Sequence, residues 1–253
     1  MRGGDLRARA LRGLTLLALL GAWEWAGRAR DSFALPTFLQ TARAAVEVAT
    51  GGAFWEALGI SGRSLLLGMA CAVGLGIPLG LLMGAVAFLR RYLTVYFELM
   101  IAIPTAAIIP LVILTMGITV RSSALIVFLF SAPFITLNAC GGVRDMTPRL
   151  AEMARAFLAT RRQFFAKIVL PSSLPMVLAG VRFGLSRAFV GLIVAELLLS
   201  PFGVGKLILD ASSRFQYDRL FATVGLIILL SLAILAALQQ VERRLLHWRL
   251  PAR

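Results

Sequence analysis

Apolar residues along this chain come in runs too long for the helices of a soluble domain. Six windows, at about 11–27, 62–87, 93–116, 122–141, 173–199 and 219–240, carry hydrophobic side chains with few charges between them. A helix needs about 20 such residues to cross a hydrocarbon core of ~30 Å. A lipid-exposed segment is helical because the bilayer core offers no partner to unpaired backbone groups. The pattern therefore predicts an all-α integral membrane protein with six transmembrane helices. Two stretches between the runs turn amphipathic. In residues 28–60, Leu35-Pro36-Thr37 reads as a helix start and Gly51-Gly52 as its stop. In residues 142–172, Thr147-Pro148 opens a pair of short helices, Ala151–Phe157 and Phe164–Val169, with a break near Ala159-Thr160 and an end at Pro171. Residues 1–60 thus hold an N-terminal tail, the first span and an external amphipathic segment. Residues 61–253 form a core of five spans with a loop at about 142–172.

Composition agrees: 59% of residues are hydrophobic, 15% are charged, and mean hydropathy is +0.87. The first apolar run has a second reading as a cleavable signal, with Arg2, Arg7, Arg9 and Arg12 ahead of it. Its continuation into Trp23 and Trp25, and the lack of a clear A-x-A site, favour a retained helix. Basic residues set orientation, since Lys and Arg concentrate on the cytoplasmic side. Placing both termini in the cytoplasm puts sixteen Lys and Arg inside and eight outside, and leaves Arg182 and Arg187 within the fifth span. The loop at 142–172 is then cytoplasmic. The net charge of +14 faces anionic lipid and a cytoplasmic partner, with no need of nucleic acid. Cys71 and Cys140 lie in separate apolar runs and read as small hydrophobes, without disulfide or metal-ligand spacing.

Catalytic chemistry is hard to place on this chain. Its one histidine, His247, stands in the tail, so neither a zinc helix nor a Ser/His pair within the spans can be built. An intramembrane enzyme is thereby disfavoured. A self-sufficient carrier is a further alternative, but no inverted repeat is evident. No phosphate-binding loop is present either: Gly203-Val204-Gly205-Lys206 has Ser200 where the first glycine belongs and Leu207 where Ser or Thr belongs. A transporter without its own ATP site needs another chain to hydrolyse ATP, and a charged cytoplasmic loop suits docking to it.

That loop carries a signature. Glu152-Met153-Ala154, followed at matching spacing by Ile168-Val169-Leu170-Pro171, resembles the Glu-Ala-Ala, Gly and Ile-x-Leu-Pro pattern of ABC importer permeases. Residues 61–84, 180–208 and 241–249 resemble the corresponding segments of the nitrate/sulfonate/taurine-type permeases in that family. The resemblance implies a type I ABC importer permease fold in a bacterial cytoplasmic (inner) membrane. It implies that Glu152, Met153, Ala154, Leu158, Ile168, Leu170 and Pro171 belong to coupling helices that dock on an ATPase. The implied partners are two ATPase subunits, which bind the ATP and Mg, a second permease copy in a homodimer, and an extracytoplasmic substrate-binding protein. This chain itself binds no cofactor or metal on that reading. The implied cargo is a small anion such as nitrate, a sulfonate or taurine, and related permeases carry thiamine-precursor pyrimidines, riboflavin or aromatic acids. Leu158 stands where the family has glycine, so it must hold the bend without a positive φ or pass the bend to Ala159.

Several residues within the spans invite a role. Gly68, Ala72, Gly76, Gly80 and Gly84 recur every four positions and predict close helix approach, either static or sliding during transport. Pro78 predicts a local kink. In the fifth span, Arg182, Ser186, Phe189, Ile193 and Glu196 share one helical face, while Gly180, Gly184, Arg187 and Gly191 share another. The first face is the candidate wall of a translocation path. Arg182 has the alternative of snorkelling or holding the loop, and Glu196 that of meeting interfacial water. Asn138 either bonds across helices or touches substrate, and Glu98 is expected to pair with a basic loop residue.

Overall fold

Long uncharged runs leave helix as the way to satisfy the backbone in lipid. The computed structural model describes residues 2–29, 34–146, 148–199 and 202–246, and helices are the regular elements among them. In order they are α1 (Arg2–Ala29), α2 (Phe38–Thr50), α3 (Gly52–Ala85), α4 (Ala87–Ala102), a 3-10 turn at Thr105–Ile108, α5 (Ile109–Met116) and α6 (Val120–Arg144). Then come α7 (Pro148–Ala156), α8 (Arg161–Phe164), a π-helical turn at Phe165–Val169, α9 (Leu170–Leu199), α10 (Val204–Ser213) and α11 (Tyr217–Leu245). Thr147, Ser200 and His247 of the sequence reading lie outside the described residues.

Among the described residues, four helices are long and apolar enough to cross a membrane: α3, α6, the rod Arg161–Leu198 that holds nearly all of α9, and α11. Helices α4 and α5 make a fifth span if the pair, bent by 84°, is taken as one. The expected run 93–116 is therefore broken. Pro104 supplies no N–H and turns Ile103 out of the helix, to ψ 134°. The expected first span, 11–27, falls within α1, which is not among these helices. Its charge-free stretch runs only from Gly13 to Trp23, between Arg12 and Glu24. Glu24 is committed elsewhere: it accepts from Arg28 at 2.8 Å and from the Leu39 N–H at 3.1 Å. Of the six expected spans, the described residues support four, or five with the bent pair, and leave the sixth unconfirmed.

Helix α6 is the axis of the packing, with α3 on one side and α9 on the other. Val127, Ala132 and Ile135 of α6 are buried against Leu65 and Ala72 of α3 and against Leu185, Ala188 and Leu192 of α9. Small residues make this approach feasible. A Cβ on Gly68 would lie 2.5 Å from the Ala124 carbonyl oxygen, and one on Gly80 would overlap that of Thr136. Gly84 faces Val143 in the same way, and Gly76 leaves a Cβ little room beside Thr136 and Ile135. From the other side, Gly180 meets Asn138 and Gly184 meets Ile135. Pro78 sits inside an α3 that continues unbroken to Ala85.

The outer elements follow local signals. Thr37 caps α2 in a reciprocal box with Gln40, and α2 stops at Gly51, both at the positions read from the sequence. Trp23 of α1 donates to the Pro36 carbonyl at 3.1 Å and packs on Phe38 and on Phe221 of α11. Its partner Trp25 is exposed.

The α3–α6 contact yields a prediction. Gly80→Val overpacks it and should destabilise by roughly 1–3 kcal/mol, whereas Gly74→Ala, which faces open space, should leave stability within about 0.5 kcal/mol. Thermal unfolding of the detergent-solubilised variants distinguishes them, and equal melting would mean that the α3–α6 contact is not close.

Candidate functional site

The amphipathic segment between α6 and α9 folds as the sequence suggests, with two differences. Helix α7 ends at Ala156, and the turn is closed by a bond from the Ala159 N–H to the Ala154 carbonyl at 3.0 Å. This is a Schellman-type stop. The residue in the left-handed position is Leu158, at φ +52°. The bend thus stays where the family has glycine, and Leu158 adopts the positive φ that the sequence reading had ruled out for it. Thr160 then caps α8 in a second reciprocal box with Gln163. Pro171 does not end the second helix, as expected, but sits in the first turn of α9. The π turn just before it, in which the Leu170 N–H bonds to the Phe165 carbonyl, widens the helix where the proline ring would otherwise crowd the preceding turn. Val169 anchors this junction among Leu81, Ala139, Val143 and Val177.

Around the turn the exposures diverge sharply. Ala154 is 5% exposed, Met153 45%, Phe157 80% and Leu158 89%. Glu152, Leu170 and Pro171 are exposed, and Ile168 is half-buried. The loop thus turns Phe157 and Leu158 outward as an apolar knob, and Glu152, Arg161 and Arg162 of the same loop are exposed as well.

Within α9 the expected wall divides. Arg182 pairs with Glu242 of α11 at 3.2 Å. Phe189 packs against the cluster of Leu65, Val127 and Leu185, and Ile193 is half-buried. Glu196 is 0% exposed, so it meets neither interfacial water nor a cavity in this conformation. Its Oε1 accepts from Ser61 Oγ of α3 at 2.6 Å, and its Oε2 accepts from the Gly205 N–H at 2.9 Å. Ser61 in turn accepts from the Val204 N–H at 3.0 Å. The carboxylate and the serine together cap the start of α10, where free N–H groups and the helix dipole favour negative charge. This explains the Gly203-Val204-Gly205 run: Gly203 has φ +81°, and a Cβ on Gly203 or Gly205 would strike Glu196. Asn138 donates to the Phe134 carbonyl within α6 at 2.8 Å and packs on Gly180. Glu98 is exposed and makes no ion pair among the described residues.

Of that face, Ser186 lines a cavity of about 570 Å³ with Phe134, Phe183, Arg187 and Val190. Arg187 also lines a smaller adjoining space of about 100 Å³ that reaches Met100 and Ile101 beside the α4–α5 bend. A third cavity, of about 370 Å³, lies among α2, α3, α10 and α11 and includes Glu47, Asp210, Arg214 and Arg219.

The sequence profile of the family described as "Binding-protein-dependent transport system inner membrane component" matches residues 76–247. The chain belongs to that family. It is an ABC importer permease. A Bacillus subtilis (strain 168) protein assigned to aliphatic sulfonates transport, the permease SsuC, is 31% identical over 97% of this chain and 90% of its own length. The Escherichia coli (strain K12) taurine transport system permease protein TauC is 29% identical over 77% of this chain and 70% of its own. The formylaminopyrimidine transport permease protein ThiX of Halalkalibacterium halodurans is 28% identical over 93% of this chain and 94% of its own. Among solved structures, the permease fold is shared with an inward-facing MetNI methionine ABC transporter, at a TM-score of 0.61 and 20% identity over 76% of this chain and 94% of that one.

Two features of this permease were missed from sequence. Ser61 carried no signal, since its partner Glu196 is 135 positions away. Arg187 was assigned to the packed face because it shares its helical register with Gly184 and Gly191, yet it is exposed while both glycines are buried.

Two substitutions test this geometry. Ser61→Ala leaves a buried carboxylate oxygen and the Val204 N–H without their partner and should lower stability by about 1–3 kcal/mol. Leu158→Gly relieves a left-handed leucine and should be neutral or stabilising by up to about 1 kcal/mol. Both are read as shifts in thermal unfolding of the purified chain, and a destabilising Leu158→Gly would mean that the leucine side chain is held by contacts.

Proposed function

We propose that this permease is the membrane-spanning subunit of an ATP-driven importer that moves a small anion of the sulfonate, taurine or nitrate type into the cytoplasm. The observation that carries this reading is the α7–α8 turn. Its capped, outward-facing Met153, Phe157 and Leu158 lie within a basic loop, as a docking element for another chain requires. Two ATPase subunits holding ATP and Mg would receive this element, one from each of two permease copies. A substrate-binding protein would approach from the opposite side, where α2 and α10 lie, and both termini would be cytoplasmic. The sulfonate and taurine relatives support the choice of anion. The formylaminopyrimidine relative supports a second reading, in which the cargo is a neutral heterocycle.

Coupling and orientation are tested separately. Ala154→Glu places a charge at a buried contact and Glu152→Lys inverts an exposed one. Each should abolish uptake and substrate-stimulated ATP hydrolysis by the assembled transporter, while the chain remains in the membrane. Normal uptake in both variants would remove the loop from coupling. In a Cys71/Cys140-free background, a cysteine at position 160 should be labelled from the cytoplasm only, and cysteines at 45 and 212 from outside only. Labelling of position 160 from outside would reverse the proposed orientation.

A further inference from the structure

Arg187 occupies a position that lipid does not tolerate. On a helix rising ~1.5 Å per residue it lies ~26 Å from Leu170 and ~18 Å from Leu199, the two ends of α9. Those ends are ~44 Å apart against a hydrocarbon core of ~30 Å. With α9 centred on the core, Arg187 thus stands ~11 Å from the nearer interface, too deep to keep its charge in lipid without water or an anion. Its neighbour Arg182 has a carboxylate, Glu242, and the structure gives Arg187 none among the described residues. What it has is an aromatic face, with the guanidinium 5.1 Å from the centroid of Phe134. That contact leaves the charge unneutralised and directs it along an apolar surface.

The surroundings fit a ligand with two ends. Phe134, Phe183 and Val190 supply apolar wall, Ser186 a hydroxyl, and Arg187 the one cation of the roughly 570 Å³ cavity. The same guanidinium reaches the smaller space beside Met100 and Ile101. It therefore lines a space with the last turn of α4, beside the α4–α5 break. Broken helices at membrane depth persist where they line protein or an aqueous cavity. A planar fork of N–H donors over an aromatic wall matches a sulfonate or carboxylate group bearing a short apolar tail.

We propose that Arg187 is the anion-recognising residue of the transmembrane passage, binding the acidic group of the cargo while Phe134 and Phe183 hold its apolar part. This deepens the permease reading above and rests on it. It replaces the Arg182-to-Glu196 face with Phe183, Arg187 and Val190, together with Ser186, as the side of α9 that meets the cargo.

The test uses the full chain in its membrane complex. With Cys71 and Cys140 replaced by alanine, Ser186→Cys places a thiol beside Arg187. Its modification by 2-sulfonatoethyl methanethiosulfonate, itself a small sulfonate, is compared with that by the trimethylammonium reagent. In both reactions the thiolate forms a mixed disulfide and expels methanesulfinate. Relative to a free thiol, the anionic reagent should be favoured by about tenfold, and adding Arg187→Gln should remove that preference while Arg187→Lys keeps it. Failure of both reagents to react, or equal preference with and without Arg187, overturns the proposal. On the unmutated chain, phenylglyoxal modification of Arg187, mapped by peptide mass, should be slowed several-fold by ethanesulfonate and not by neutral dimethyl sulfone. Absence of that protection also overturns the site. An anion preference at Ser186→Cys without sulfonate uptake would instead retain the site and remove the sulfonate reading of the cargo.

Discussion

Helices in a bilayer gain little from burying apolar side chains against one another, because lipid is as apolar as leucine. What holds α3 and α9 to α6 is close fit, and fit at this distance depends on residues without side chains in the way. Gly68, Gly80 and Gly84 on α3, and Gly180 and Gly184 on α9, all face α6 where a methyl group would overlap its backbone or side chains, and Gly76 faces it with little room to spare. This three-helix contact fixes the angular position of every other residue on α9. It turns Leu185, Ala188 and Leu192 inward, sets Glu196 beneath the start of α10, and leaves Phe183, Arg187 and Val190 facing out.

The charged groups of the membrane region then divide by whether the fold supplies them with a partner. Glu196 receives a serine hydroxyl and a backbone N–H, and it does structural work at the N-terminus of α10. Arg182 receives Glu242 and ties α9 to α11. Arg187 receives an aromatic ring and an opening. A buried and satisfied charge is explained by stability, and an exposed one in mid-span asks for a ligand.

How much of this was legible in the sequence depended on the range of the interactions. Local signals read correctly: the Thr37 cap and Gly51 stop of α2, and the break near Ala159-Thr160, follow from side chains within a few positions of one another. The small-residue ridge of α3 was visible as a four-residue repeat, though not which helix it would meet. The first span is helical as read, but the charges at Arg12 and Glu24 that bound its apolar run leave its crossing of the membrane unconfirmed. The third was read through Pro104, whose missing N–H broke it. The fifth span shows the deeper limit. Periodicity grouped Arg182 with Glu196 and Arg187 with the glycines, but which side of a helix is covered depends on partners 60 and 135 positions away. Leu158 could not be read either, since a left-handed leucine is tolerated here only because the flanking caps and the Ala159-to-Ala154 bond over-determine the turn.

The proposed function makes this chain the path of an importer whose motor is another protein's ATP hydrolysis, coupled through the α7–α8 turn. Proteoliposomes test it most directly, by following radiolabelled taurine and alkanesulfonate uptake with the permease alone and with its ATPase and binding-protein partners. The account predicts accumulation against a gradient only in the complete system with ATP, and none by the permease alone under an imposed proton or sodium gradient. Gradient-driven accumulation by the permease alone would contradict it.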